Sequence, residues 1–220
     1  MTVIHQTGWI TKPGRDLEFI QAVPKARAIH VRLGAKVRVW RAIAAGPNTG
    51  RIGYSLGFDS FSAFAKFSAT LQADPEWQAL VPTYWGPDSP ATSQGNSVFS
   101  TLPGLDDGPS SAPGGPRVRA FRQFSVEKGR QQEVRQLLGE FRGHLLRLGA
   151  LGVKAAQPIA AGPSAPIIAF AAEHADLAAY GTYMDKAFAD AEATTFIWTR
   201  LAAAGSPLTQ IGTALQVEIP

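Results

Sequence analysis

The chain contains no cysteine among its 220 residues. This absence excludes disulfides, thiolate metal sites, iron–sulfur ligation and cysteine nucleophiles, and it is compatible with a reducing compartment. The first ten residues have no basic stretch followed by an apolar run, so no signal peptide is predicted. No apolar segment approaches the roughly 18 residues that a bilayer-spanning helix needs. These absences favour a cytoplasmic protein without a membrane partner.

Charged residues are also few. Asp, Glu, Lys and Arg make up 17% of the chain, and the net charge is +4. No run of five like charges occurs, and the basic residues are spread along the chain. A nucleic-acid-binding protein needs a concentrated basic face. We therefore expect no nucleic-acid partner.

Sequence motifs for several kinds of chemistry are missing. Neither the glycine-rich phosphate-binding motifs nor the nucleophile elbow of hydrolases occurs. No two histidines have the four-residue spacing of a helical metal site. A haem would need a proximal histidine in the second half, where His144 and His174 are present but lie in no haem motif. The sequence thus predicts no metal and no cofactor.

The chain instead repeats itself. Arg32–Ala35 recurs as Arg147–Ala150 at an offset of 115, and Ile43–Pro47 recurs as Ile159–Pro163 at an offset of 116. The matches keep their order and need one inserted residue near position 151. This self-similarity predicts a tandem duplication of a unit of about a hundred residues.

The composition also predicts where the two units meet. Pro, Gly and Ser dominate residues 103–116, which we interpret as a flexible linker. The predicted domains are therefore residues 1–102 and residues 117–220.

Each unit has the pattern strand, helix, strand, strand, helix, strand. In the first unit the predicted strands are 2–11, 36–45, 51–58 and 96–102, and the helices are 16–33 and a segment capped by Asp59 or Ser60. In the second unit the predicted strands are 118–126, 153–161, 166–172 and 209–219, and the helices are 130–148, 175–189 and 194–204. Pro24 should kink the first helix or mark a late start, because it lacks an N–H.

This order of elements predicts an α+β fold. A βαββαβ unit is the ferredoxin-like arrangement, in which both helices pack on one face of a four-stranded antiparallel sheet. The other face must also be covered, and the second unit can do this. We therefore predict two tandem ferredoxin-like repeats that form a pseudo-dimeric α+β barrel with the sheets face to face. Exposed sheet edges would then allow a homodimer.

Five segments of the first unit together resemble the dimeric α+β barrel superfamily, and most closely its NIPSNAP-like proteins. The segments are Lys12–Arg15, Leu33–Ala35, Ala45–Pro47, Phe58–Phe61 and Asp74–Trp77. The second unit matches more loosely, with Ala193 in place of Trp77. The superfamily includes cofactor-free monooxygenases, isomerases, cyclases and haem enzymes such as chlorite dismutases. The resemblance therefore implies a fold and leaves the chemistry open.

Two histidines are candidate catalytic groups. His5 shares a strand face with Val3, Thr7 and Trp9, where it could act as a general base or polarise a carbonyl. His30 lies on the apolar stripe of the first helix, and Leu145 is its counterpart in the second unit. The alternatives are a surface His5 and a core His30. We expect His174 to cap a helix or lie on the surface.

The first unit is also rich in aromatic residues, which could form an apolar pocket or simply the core. The candidate ligand-binding residues are Trp9, Arg38, Trp40, Tyr54 and Phe58. Arg38 shares a face with Trp40 and could bind a carboxylate.

Two hypotheses for function follow. The first is a NIPSNAP-like protein that binds a small apolar ligand or acts as an assembly module. The alternative is a cofactor-independent monooxygenase or isomerase that acts on a small aromatic or lactone substrate. The geometry discriminates between them, because an enzyme requires a histidine within hydrogen-bond reach of an open cavity.

Overall fold

The computed structural model describes residues 2–107, 117–160 and 167–220. The first half contains β1 (Val3–Thr11), α1 (Asp16–Arg32), β2 (Lys36–Ala44), β3 (Ile52–Phe58), α2 (Phe61–Ala73), α3 (Pro75–Trp85) and β4 (Ala91–Asp106). The second half contains β5 (Val118–Val126), α4 (Gln131–Leu148), β6 (Gly152–Ala160), β7 (Ile167–His174), α5 (Leu177–Ala189), α6 (Ala191–Phe196) and β8 (Leu208–Ile219). A π-helical turn, Ile197–Leu201, follows α6.

All eight strands form one closed antiparallel barrel in the order β1-β3-β2-β8-β5-β7-β6-β4. Within each half the strands have the order expected for a ferredoxin-like sheet. The halves are joined where β2 pairs with β8, for example Val39 with Ile219, and where β4 pairs with β6, for example Val98 with Ala160. The predicted α+β barrel is therefore confirmed.

The sheet edges differ from our expectation. We predicted sheets that lie face to face with free edges, but each sheet uses both of its edges to pair with the other sheet. Each described strand consequently has two neighbours, and an edge-to-edge dimer has no free strand to pair with.

Strand β4 is longer than the predicted 96–102. It begins opposite β1, where Ala91 pairs with Thr11, and ends opposite β6, where Asp106 pairs with Lys154. Strand β4 pairs with both halves, so hydrogen bonds to β1 determine where it begins and hydrogen bonds to β6 determine where it ends. The predicted linker starts inside this strand, and its residues 108–116 lie outside the described ranges.

Helix α1 begins at Asp16 and continues through Pro24 to Arg32, so the predicted late start is wrong. The acidic residues Asp16 and Glu18 in its first turn and Arg32 in its last turn suit the helix dipole.

Helix α2 is capped by Ser60, whose hydroxyl accepts a hydrogen bond from the Ala63 N–H at 3.1 Å. No helix within the described ranges is both long and apolar enough to cross a membrane.

Side chains alternate between two environments along each strand. In β1, His5, Thr7 and Trp9 face the helices, whereas Ile4 and Gln6 face the barrel interior.

Two separate hydrophobic clusters lie between the sheet and the helices. One consists of first-half residues, and the other consists of second-half residues together with Leu102 and Leu105 of β4. The barrel interior is a third compartment, which the helices do not reach.

Candidate functional site

A cavity of about 360 Å³ lies between the sheet and helices α1, α2 and α3 of the first half. We call it the first-half cavity. Its walls include the side chains of His5, Thr7, Trp9, Phe19, His30, Tyr54, Phe67, Ser68, Gln72, Trp77, Trp85 and Asn96. Gln72, Trp85 and Asn96 are exposed, so the cavity reaches the surface between α2, α3 and β4. Its size is in the range of small-molecule sites.

Six of the sixteen described residues that line the cavity are Phe, Tyr or Trp. The Trp77 ring lies 4.8 Å from the His30 ring and 5.5 Å from the Trp85 ring, measured between centroids. Trp9 in turn lies 5.4 Å from Trp85 and 5.5 Å from Phe19. These tilted and edge-to-face arrangements are favourable for aromatic pairs and leave ring surface for a flat ligand.

His30 and Tyr54 form a hydrogen-bonded pair at the base of this cavity. The apolar stripe of α1 directs His30 at the sheet, where its Nδ1 lies 2.8 Å from the Tyr54 hydroxyl oxygen. His30 is only 4% exposed, and within the described ranges its Nε2 has no hydrogen-bond partner. A buried ring nitrogen without a partner is costly, so a ligand atom that hydrogen-bonds to it would be stabilising.

Both histidines of the cavity are neutral at physiological pH. Burial, with a smaller contribution from His5, lowers the pKa of His30 to about 4. Burial also lowers the pKa of His5, whose ring centroid lies 5.8 Å from that of Phe64. Neutral imidazoles can donate or accept a hydrogen bond according to their tautomer.

Few other polar groups line the cavity. The Thr7 hydroxyl donates to the Asn96 side-chain oxygen at 2.5 Å. None of the side chains that line it in the described structure is a carboxylate, a lysine or an arginine. The cavity therefore suits an uncharged, largely apolar molecule with one or two oxygen atoms.

The second half has different residues at the positions that form the cavity in the first half. At the offset of the sequence repeat, His30, Tyr54 and Trp77 correspond to Leu145, Phe170 and Ala193. All three of these residues are buried in the second hydrophobic cluster. The cavity thus depends on residues that only the first half has.

The structure brings four predicted site residues together and separates three. His5, His30, Trp9 and Tyr54 line the first-half cavity. Phe58 lies behind its wall, with its ring 4.9 Å from that of Phe67.

Arg38 and Trp40 lie on the opposite face of the sheet, in the barrel interior. Tyr54 pairs with Val39 rather than with Trp40. Our prediction that Trp40 and Tyr54 hold one substrate is therefore incompatible with the strand register.

The barrel interior contains its own cavity of about 130 Å³, which we call the lumen cavity. Arg38 forms ion pairs there with Glu173 at 2.5 Å and Glu218 at 2.9 Å. The guanidinium carbons of Arg38 and Arg119 lie 4.4 Å and 4.2 Å from the centre of the Trp40 ring. Arg119 therefore lines the lumen cavity beside Arg38 and Trp40. The sequence shows it only as one basic residue on an alternating strand and does not predict this position.

His174 is not the surface or capping residue that we expected. It ends strand β7, is fully buried, and contacts the ring of Tyr183 at 4.7 Å. Burial, with a contribution from Arg122, lowers the pKa of His174 to about 4. The cap of α5 is Asp176, whose carboxylate accepts a hydrogen bond from the Ala179 N–H. In the described ranges, no cluster of three potential metal-ligating residues occurs.

No protein-family model and no curated protein matches this chain by sequence. Solved structures do match. A protein from Fusobacterium nucleatum subsp. nucleatum ATCC 25586, provisionally named a monooxygenase, is 8% identical, with a TM-score of 0.69 over 98% of this chain and 92% of that chain. A protein from Lactobacillus acidophilus NCFM, also provisionally named a monooxygenase, is 12% identical, with a TM-score of 0.60 over 100% and 95% of the two chains.

An anthrone oxidase-like protein matches with a TM-score of 0.58 at 14% identity, over 98% of this chain and 91% of that chain. Identities this low show the fold and nothing finer. These structures and this chain share one fold, a barrel built from two ferredoxin-like halves.

Proposed function

We propose that the chain is a cofactor-independent monooxygenase that acts on a small aromatic substrate in the first-half cavity. The observation that carries this proposal is the buried Nε2 of His30, which has no partner in the described structure and faces an aromatic-walled cavity of about 360 Å³. The matches to proteins named as monooxygenases and to an anthrone oxidase-like protein support the same class of reaction.

The hydrogen bond between His30 and Tyr54 gives the proposed site its acid–base chemistry. When the Nδ1–H of His30 donates to the Tyr54 hydroxyl oxygen, Nε2 is an acceptor that can take a proton from the substrate. When the Tyr54 hydroxyl donates to Nδ1 instead, Nε2–H can donate to a carbonyl or phenolate oxygen. The substrate anion formed by proton transfer would raise the pKa of His30 again, because opposite charges stabilise each other in a site of low polarity.

The chemistry balances with molecular oxygen as the co-substrate. Removal of a proton from an activated methylene of an anthrone-type ring leaves a carbanion that can give electrons to O₂. A carbon–oxygen bond forms, and the resulting hydroperoxide loses water to leave a carbonyl. The overall change is R₂CH₂ + O₂ → R₂C=O + H₂O, and the abstracted proton returns to the leaving oxygen. Exclusion of water by the aromatic wall would protect the anion until it reacts.

A second candidate is a NIPSNAP-like protein that binds a small apolar ligand without catalysis. It is favoured by the lack of a carboxylate among the described side chains that line the cavity, since a carboxylate commonly orients a catalytic histidine. The residues that resemble NIPSNAP-like proteins are compatible with either candidate. An isomerase would use the same proton transfer without O₂.

One experiment separates these candidates. The purified protein is mixed with anthrone, a naphthohydroquinone or an aromatic lactone, and O₂ consumption is followed beside ligand-induced quenching of tryptophan fluorescence. A monooxygenase consumes one O₂ per product and incorporates one ¹⁸O atom from ¹⁸O₂. Saturable quenching without turnover would support the binding protein, and turnover without O₂ uptake would support the isomerase. The matched variants are His30→Leu, which introduces the residue found at position 145, and His144→Leu at a partly exposed position of α4, away from the first-half cavity.

The assembly state and the cytoplasmic location stay predictions. Because the barrel closes within one chain, we expect a homodimer to use the outer helical surface rather than a sheet edge. Sedimentation velocity measures this directly.

A further inference from the structure

The barrel interior holds a cluster of basic side chains, and most of them have carboxylate partners. The interior pairs are Arg38 with Glu173 and Glu218, Arg117 with Glu173, and Lys154 with Asp106. Lys36 also lines the lumen cavity, but its pair with Asp59 is exposed. Arg119 differs from these residues. Its Nε donates to the Gln216 side-chain oxygen, while its Nη2 is buried and has no hydrogen-bond partner within the described ranges.

An arginine in this position keeps its charge. Burial lowers the pKa of Arg119 to about 9, which still leaves the guanidinium protonated at neutral pH. Contacts with the Trp40 ring at 4.2 Å and the Phe121 ring at 5.3 Å offset part of the cost of burying the charge. A buried cation remains costly unless an anion or further acceptors complement it.

Gly53 leaves space directly beside this guanidinium. A Cβ atom at Gly53 would lie 3.5 Å from Gln6 Nε2 and 3.9 Å from Arg119 Nη2. Two hydrogen-bond donors therefore lie within 4 Å of the position that the Cβ atom of a larger residue at position 53 would occupy. Gln6 and Arg119 line the lumen cavity of about 130 Å³, and Gln6 and Gly53 line a second cavity of about 210 Å³ in the barrel interior. Both are well above the roughly 10–15 Å³ that one water molecule needs.

We infer that the lumen cavity is a binding site for a small oxyanion, which accepts hydrogen bonds from Arg119 Nη2 and Gln6 Nε2. Charge and hydrogen-bonding direction both favour an anion, because these two groups donate and the guanidinium is positive.

The lumen cavity is also lined by Glu173, whose Oε1 pairs with Arg38 and whose Oε2 lies 3.7 Å from Arg117 Nη1 without a hydrogen-bond partner in the described ranges. The charges of Glu173 and Glu218 favour protonated Arg119, but neither carboxylate forms a hydrogen bond or ion pair with it among the described contacts.

The volume limits the ligand to a small carboxylate or an inorganic oxyanion such as phosphate. This site lies across the sheet from the first-half cavity, so it does not depend on the proposed function.

Isothermal titration calorimetry of the full-length protein tests this inference. Sodium acetate and inorganic phosphate are titrated separately in a zwitterionic buffer, with chloride adjusted to keep the ionic strength constant. We expect one site per chain for at least one of them. Preference for acetate would identify a carboxylate ligand, and preference for phosphate would identify an inorganic oxyanion.

Two variants probe the site, and each has a matched control. Arg119→Met removes the guanidinium, and Gly53→Ala fills the space beside it, so each should weaken binding at least about tenfold, which corresponds to about 1.4 kcal/mol. Arg135→Met removes an exposed arginine from α4, and Gly143→Ala adds a methyl group on the exposed side of α4, where no atom lies within 4 Å of it. Both controls should bind like the wild type.

Absence of heat for both anions up to 50 mM, or equal binding by Arg119→Met and the wild type, would overturn the inference. If Arg119→Met does not fold, Gly53→Ala still tests the inference. The backbone conformation of Gly53 is compatible with alanine, and the added methyl group would make only ordinary van der Waals contacts.

Discussion

His30 Nδ1 lies 2.8 Å from the Tyr54 hydroxyl oxygen, and this hydrogen bond joins helix α1 to strand β3 inside the first-half cavity. It fixes the orientation of the imidazole, so that the other ring nitrogen is left for a ligand. The proposed chemistry depends on this pair.

Replacement of Tyr54 by Phe tests the pair itself. The variant leaves Nδ1 of a buried His30 without its partner, so we expect the free energy of unfolding to fall by about 1–2 kcal/mol. We expect kcat to fall by roughly tenfold to a hundredfold while KM changes little, since the ring still lines the cavity. Urea denaturation and steady-state O₂ uptake measure the two effects. Tyr180→Phe, in the second half, is the control and should leave turnover unchanged.

Trp77 should control ligand affinity. Trp77→Ala introduces the residue found at position 193 and removes the ring that contacts both His30 and Trp85. We expect ligand affinity to fall about tenfold and the free energy of unfolding to fall by about 2 kcal/mol, because Trp77 is only partly buried. Trp198→Ala is the matched control, since Trp198 is 70% exposed, and it should change stability by less than about 0.5 kcal/mol. Equal effects of the two variants would contradict this role.

Two buried histidines predict how stability depends on pH. His30 and His174 have an ordinary pKa of 6.5 in the unfolded chain and a pKa of about 4 in the folded protein. Between these values the unfolded chain binds more protons, so stability is full above pH 6.5 and falls as the pH drops toward 4. Each histidine contributes at most about 3 kcal/mol to this loss.

Urea denaturation at pH 7.5 and at pH 5 measures this dependence. His30→Leu and His174→Phe should each make stability less sensitive to pH, because each removes a group that must be kept neutral. A wild-type protein that is equally stable at both pH values would contradict the assignment.

The ion pairs of Arg38 should stabilise the barrel closure, because they connect β2 with β7 and β8. Arg38→Met leaves Glu173 and Glu218 without this partner in a half-buried setting. We expect the free energy of unfolding to fall by about 3 kcal/mol. Arg15→Met, which breaks an exposed pair with Glu18, should have a much smaller effect. Thermal and urea denaturation of both variants check this prediction.

The sequence predicts the elements well, because their determinants are local. Alternation, helical spacing and turn residues locate all eight strands and the main helices, and the helical stripe correctly directs His30 toward the sheet. The repeat offset also aligns His30 with Leu145, which indicates that the second half has no equivalent of this histidine. These features depend on residues that are close together in the chain.

The sequence does not predict features that depend on the contacts between the two halves. Alternation places Arg38 and Trp40 on one face of their strand. Only the closure of the barrel turns this face toward the lumen and brings the acidic partners of Arg38 from the second half. Arg119 stands out only when the pairing around the barrel brings it to Trp40. His174 lies at a strand end, which has the same local sequence pattern whether it is buried or exposed.

We propose His30 Nε2 as the ligand-contacting atom of the first-half cavity. A crystal structure of the protein soaked with a two-ring or three-ring aromatic quinone, the product class of the proposed reaction, would locate this contact. We expect the quinone between Trp9, Trp77 and Trp85, with one oxygen within hydrogen-bond distance of His30 Nε2. A quinone bound elsewhere, or one inside the cavity with its oxygens directed away from His30, would contradict it.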